Sequence, residues 1–166
     1  MWINLYKMLI NKLFGVAILI LVMQNVSGAS AGDEPGFCQS LGRIVTEGRN
    51  KFSGIATGRT YVDTQERDAA ILLPGMQYCR VGLDLANYNC WNAALSHQEA
   101  EAAAEKLVRN VKSCYPNVQS TNRTETTSSL IRSVTSWTLQ NTQILEVVRR
   151  LARDSRRGNM VFFYVR

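Results

Sequence analysis

The four cysteines of this chain constrain its fold more than any other residues. Cys38, Cys79, Cys90 and Cys114 all lie after residue 31, and their number is even. They include no CxxC pair, and the chain has one histidine, so the ligand spacing of a structural zinc site is missing. In a chain directed to an oxidising compartment, such a set predicts two disulfide bonds.

Residues 1–31 have the three-part layout of a secretory signal peptide. Two lysines lie in the first 12 residues, residues 13–23 form an unbroken apolar run, and the segment ends in Ala-Ser-Ala. As a helix, that run spans roughly 16 Å, which is too short for a bilayer core of about 30 Å. We therefore predict cleavage after Ala31, in preference to an uncleaved anchor, and a secreted or periplasmic domain of residues 32–166.

A β-hairpin is predicted over residues 76–92, where apolar and polar positions alternate. A two-residue loop at Asp84-Leu85 places Cys79 directly opposite Cys90. Opposed Cβ atoms lie about 4.5–5.5 Å apart, which is close to the distance a disulfide requires. The hairpin therefore predicts a Cys79–Cys90 bridge.

Two helices are predicted on either side of this hairpin. Ser96 and Glu99 form a capping box, and a helical apolar stripe runs from Ala100 to Cys114. The apolar spacing of residues 37–52 predicts the other helix, with Cys38 near its start. A Cys38–Cys114 bridge would join the two helices, while the alternative pairing, Cys38–Cys79 with Cys90–Cys114, stays open.

The remaining segments favour strands and turns. Residues 55–62 fit a strand, residues 63–68 a polar turn, and residues 118–129 a linker rich in serine and threonine. Further strands are predicted for residues 134–139, 144–151 and 160–166, with a helix over 143–153 as the competing interpretation of the second.

Together these patterns predict an α+β fold. Two helices pack on one face of an antiparallel sheet, two disulfides staple the domain, and an N-terminal signal peptide precedes it. The predicted order is αβ(β)βαβββ, and the sequence shows no internal repeat. Trp91 and Trp137 are predicted in the core.

Positive charge is concentrated at the C-terminal end. Removing the signal peptide lowers the net charge from +6 to +4, and residues 132–166 alone carry +5. An anion-binding or partner-binding cluster is predicted from five arginines, because arginine binds carboxylate and phosphate through two hydrogen bonds: Arg149, Arg150, Arg153, Arg156 and Arg157.

Catalytic motifs are not evident. His97 falls in the first turn of a predicted helix, where side chains are usually solvent-exposed. The acids outside the helices have no spacing that selects a catalytic pair, and they are expected in turns: Asp63, Glu66, Asp68 and Asp84.

These observations favour a secreted or periplasmic, non-catalytic binding or accessory protein, similar in role to an inhibitor or adaptor. The expected partner is another envelope or extracellular protein. The first alternative is a binder of anionic surfaces, such as lipid or polysaccharide, through the basic C-terminal hairpin, and a small secreted hydrolase is the weaker alternative. No cofactor or metal is predicted, and nucleic acid is not expected as a partner.

Overall fold

The computed structural model describes residues 36–140, 142–152 and 158–166. The predicted signal peptide, residues 1–31, lies outside these residues, as does most of the turn over 154–159. Within the described residues, the elements are α1 (Phe37–Gly48), β1 (Ala56–Tyr61), β2 (Glu66–Ala69), β3 (Tyr78–Gly82), β4 (Asn87–Leu95), α2 (His97–Cys114), β5 (Ser120–Thr126), β6 (Leu130–Thr138), β7 (Ile144–Ala152) and β8 (Asn159–Val165).

The strands form one antiparallel sheet in the order β1-β2-β3-β4-β8-β7-β6-β5. The same order of elements occurs twice along the described chain, since each helix is followed by a meander of four strands. The two meanders meet where β4 pairs with β8. The observed order, αββββαββββ, has two strands more than the predicted one, and it reveals an architectural repeat that leaves no trace in the sequence.

The main core lies between the helices and the central strands. The final strand is at its centre, as its apolar composition predicts, with Val161, Phe163 and Val165 fully buried. Trp137 is buried as predicted. The other large buried side chains of this core include Phe37, Leu41 and Ile44 of α1, Leu107 and Val111 of α2, and Tyr88 of β4.

Both predicted disulfides are present. In β3 and β4, Cys79 is the register partner of Cys90, and their sulfur atoms are bonded across the hairpin. The second bridge joins Cys38 of α1 to Cys114 at the end of α2, with Cα atoms 5.3 Å apart. This bridge fastens α1 to α2, which in turn packs on β7 and β8.

The start of α2 also agrees with the prediction. The Ser96 side chain accepts a hydrogen bond from the Glu99 N–H, and the Glu99 carboxylate accepts one from the Ser96 N–H. The helix α1 ends at Gly48, four residues before the predicted end. Lys51 and Phe52 have positive φ values of 54° and 60°, which turns the chain and returns Phe52 to the core.

Three segments differ from the sequence-based expectations. Residues 120–126, predicted as linker, form strand β5, and Glu66–Ala69, predicted mostly as turn, forms β2. Neither has an apolar face that would reveal it: every residue of β5 is exposed, and β2 is half-buried. The loop between β3 and β4 has four residues, although its register is the predicted one.

The prediction of a strand over residues 144–151 is confirmed, since β7 covers Ile144–Ala152. In the described part of the chain, no helix is long and apolar enough to cross a membrane.

Candidate binding face

The side of the sheet that faces away from both helices carries the most distinctive group of side chains. Side chains alternate between the two faces of a strand, so the register assigns each residue to one side. We call the side away from α1 and α2 the open face; no described element packs on it. Val134 and Val148 lie there, and they are buried without belonging to the main core.

An aromatic row crosses the middle of the open face. Tyr78 pairs with Trp91, and Trp91 pairs with Phe162, so three rings lie on three neighbouring strands. The Tyr78 and Trp91 rings stack with centroids 5.6 Å apart, and Tyr78 remains 56% exposed. Val148 and Val134 continue the row on β7 and β6. The result is an apolar band that crosses five strands.

Arg80 lies beside this row and is held from several sides. Its guanidinium is 3.6 Å from the Tyr61 ring centroid and 5.1 Å from that of Trp91. It also forms a 3.0 Å ion pair with Glu66, which accepts a second hydrogen bond from the buried Asn89 amide. These contacts fix the arginine in place between two aromatic rings.

On the other side of the row, Arg150 lies over Phe162. The guanidinium is 4.7 Å from the ring centroid, and Phe162 stacks with Tyr164 at 5.8 Å. Arg150 is exposed, and none of the described carboxylates forms an ion pair with it. It is therefore a cation available to a ligand at the edge of the aromatic row.

Tyr164 is held neutral next to these charges. Its burial raises the pKa of the phenol, while Arg150 and Arg132 act in the opposite direction and Glu146 and Glu66 reinforce the increase. The phenol therefore stays protonated at physiological pH and can donate a hydrogen bond to a ligand. Glu146, the register partner of Tyr164, is buried and accepts a 2.9 Å bond from Arg166.

The five arginines predicted as one cluster do not form one surface. Arg149 points to the helix side, where it forms a 2.9 Å ion pair with Glu101 of α2. Arg150 points to the open face, because successive residues of a strand face opposite sides. Arg153, Arg156 and Arg157 lie outside the described residues. Of the described pair, only Arg150 contributes to the open face.

The candidate acids and His97 do not form a single site, although Glu66 and Asp68 lie on the same face of β2. Asp84 lies in the turn before β4, and His97 begins the helix after it, so the nine residues of this strand separate them by roughly 30 Å. Asp63 is exposed in the turn between β1 and β2, while Glu66 and Asp68 lie on the open face of β2. Within residues 36–140, 142–152 and 158–166, no three His, Cys, Asp or Glu side chains are grouped as metal ligands.

Sequence reasoning identified Arg150 but not the aromatic row. Trp91 was predicted in the core, whereas it is half-buried on the open face. The signal was present in the hairpin register, since the pairing that opposes Cys79 and Cys90 also opposes Tyr78 and Trp91. What the sequence could not show was that β8 would place Phe162 next to Trp91.

No protein-family model, curated protein or solved structure matches this chain.

Proposed function

We propose that this protein is a secreted or periplasmic, non-catalytic binding protein that recognises another envelope or extracellular protein through its open face. The observation that carries the proposal is the row of Tyr78, Trp91 and Phe162, flanked by Arg80 and Arg150. Tyrosine, tryptophan and arginine provide most of the binding energy in protein–protein interfaces, and they act best when clustered near the centre of a contact.

The state of these side chains supports binding over a purely structural role. Tyr78 is more than half exposed, and Arg150 is exposed, so both are accessible to a partner. Arg80 is held between two rings and a carboxylate, so little side-chain entropy remains to be lost on binding. The charges also favour a protein, since Arg80, Arg132 and Arg166 are neutralised by neighbouring acids.

The proposed compartment rests on the disulfides and on the predicted signal peptide. All four cysteines are oxidised in the two bridges, and the described chain has no free cysteine. Structural disulfides of this kind are typical of secreted and periplasmic proteins. Recovery of the protein from the periplasm or medium, with its N-terminus at residue 32, would test this part directly.

The binding proposal is tested by affinity capture with matched variants. The mature, oxidised protein is immobilised and exposed to detergent-solubilised native envelope and to secreted protein. The open-face variant is Tyr78→Ala with Arg150→Glu; the control is Leu85→Ala with Lys112→Glu, which changes an exposed apolar residue of the turn between β3 and β4 and an exposed basic residue of α2. We expect one protein to be retained by the wild type and the control, with at least tenfold less on the open-face variant. Equal retention by all three would refute the proposal.

A second candidate function, binding of an anionic polymer or lipid surface, is favoured by Arg150, which is exposed and forms no ion pair with a carboxylate of the described residues. Its test is retention on heparin and on anionic vesicles. The variant is Arg150→Ala with Arg153→Ala and Arg157→Ala, and Arg149→Ala is the matched control because Arg149 is engaged with Glu101 on the other side of the sheet. Loss of retention in the triple variant alone would support this function; unchanged retention would remove it.

A further inference from the structure

The two outer strands of the sheet differ in how well their free edges are protected. The register of β1 shifts between Thr57 and Thr60, and Gly58 has a positive φ of 63°, so this edge is irregular. In contrast, β5 pairs with β6 through seven successive residues without a shift. Bulges protect sheet edges from pairing with other chains, so the described residues leave β5 as the edge open to another strand.

The backbone groups that β5 directs outward can be assigned from the adjoining turn. The Thr127 N–H donates to the Leu130 carbonyl at 2.9 Å, so residue 127 directs its backbone toward β6. Alternation then directs residues 125, 123 and 121 toward β6 as well. The residues with outward N–H and C=O groups are Ser120, Asn122, Thr124 and Thr126.

We propose that a second copy of this chain pairs with β5, antiparallel and about a twofold axis at Thr124. This register places Thr124 opposite Thr124 of the second copy, and Asn122 opposite Thr126 of the second copy. All of these residues direct their backbone N–H and C=O groups outward, so they can form the hydrogen bonds between the two copies. Arg123 then lies opposite Glu125 of the second copy, twice across the axis. That pair occupies a position without ladder hydrogen bonds, where opposed Cα atoms approach to about 4.5 Å and side-chain contacts are strongest.

Charge complementarity selects this register and this occupant. Moving the axis one step in either direction opposes Arg123 to Arg123 or Glu125 to Glu125, and opposed like charges destabilise a strand pair. Both side chains are accessible in one chain, where they form a 3.0 Å ion pair and are 62% and 46% exposed. A segment that is complementary to itself is what a symmetric dimer interface requires.

The dimer goes beyond the proposed function and does not depend on it. In an antiparallel pair, two residues that lie opposite each other point to the same face of the sheet. The open faces of the two copies would therefore form one continuous surface. Arg123, Glu125 and Arg132 would lie near its centre. The aromatic row of each copy would remain uncovered.

Sedimentation velocity of the mature, oxidised protein over a range of concentrations tests the proposal. Thr124→Pro removes an outward N–H and leaves every bond to β6, and proline is tolerated at such edge positions. We expect the wild type to dimerise and this variant to remain a folded monomer. Arg123→Glu alone and Glu125→Arg alone should each raise the dimer dissociation constant at least tenfold, since each replaces two attractive pairs by two repulsive ones.

Mixing the two charge variants distinguishes the interface from a folding defect. An equimolar mixture restores both ion pairs, so it should form the heterodimer with near wild-type affinity although neither variant dimerises well alone. Arg59→Glu on the irregular β1 edge is the matched control and should leave dimerisation unchanged. A wild type that remains monomeric at roughly 100 µM, a concentration at which a dimer with a micromolar dissociation constant is populated, would overturn the proposal. A dimer unaffected by Thr124→Pro, or a mixture that remains monomeric, would overturn it as well.

Discussion

At the scale of single residues, Tyr88 connects the hairpin to the rest of the core. Its ring is fully buried, and its hydroxyl donates a 2.8 Å hydrogen bond to the Ile71 carbonyl. Tyr88→Phe should lower the free energy of unfolding by about 1 kcal/mol, because it removes one buried hydrogen bond and leaves a carbonyl without its donor. Urea unfolding measures this, and Tyr78→Phe, at an exposed ring, should change nothing. Equal effects of the two would contradict the assigned role of the bond.

The same residue predicts how stability depends on alkaline pH. Burial raises the pKa of Tyr88 well above its usual value of 10.0, so the phenol stays neutral in the folded state while it ionises in the unfolded state. The stabilisation is complete below pH 10 and is lost as pH rises above it. The free energy of unfolding of the wild type should therefore fall between pH 8 and 11. In Tyr88→Phe this fall should be about 1 kcal/mol smaller than in the wild type. Parallel pH profiles would contradict this account.

At the scale of elements, the two disulfides have different consequences. The Cys38–Cys114 bridge spans 76 residues and the Cys79–Cys90 bridge spans 11. In the chain-entropy model these are worth about 4.5 and 3 kcal/mol. Replacing Cys38 and Cys114 by alanine should lower the free energy of unfolding by up to about 4.5 kcal/mol and raise amide exchange chiefly in α1. Protection in α1 that stays at the wild-type level would show that packing alone holds the helix.

The capping box makes a more local prediction at the start of α2. Hydrogen bonds from the Ser96 backbone and side chain hold the pKa of Glu99 below its usual value. Ser96→Ala removes the side-chain contribution and should raise the pKa of Glu99, as measured by NMR titration. An unchanged pKa of Glu99 in this variant would contradict the role assigned to the Ser96 side chain.

Elements with one apolar face were predictable, and those without one were not. The stripe and cap of α2, the hairpin register and the buried run of β8 follow from residue spacing, because burial on one side imposes a period on the sequence. The strands β2 and β5 have no such face, since β5 is exposed on both sides and β2 is only half-buried. Their strand geometry is set by the neighbours with which they pair, not by their own pattern.

At the scale of the whole molecule, the candidate site depends on the meeting of the two meanders. Tyr78 and Trp91 come from the first half of the chain and Phe162 from the second, and they form a row only because β4 pairs with β8. The sequence therefore predicted an unspecified binding protein and located one of the contributing arginines. It could not predict the face, because long-range strand pairing decides which side chains become neighbours.

The central claim, that the open face contacts a protein partner, is tested most directly by site-specific photocrosslinking in the native envelope. A photoreactive phenylalanine replaces Tyr78, which is exposed on the open face, or Lys112, which is exposed on α2. We predict a discrete adduct of defined mass from position 78 that position 112 does not give, and that Arg150→Glu weakens. No adduct at position 78, or the same adduct from both positions, would contradict the claim.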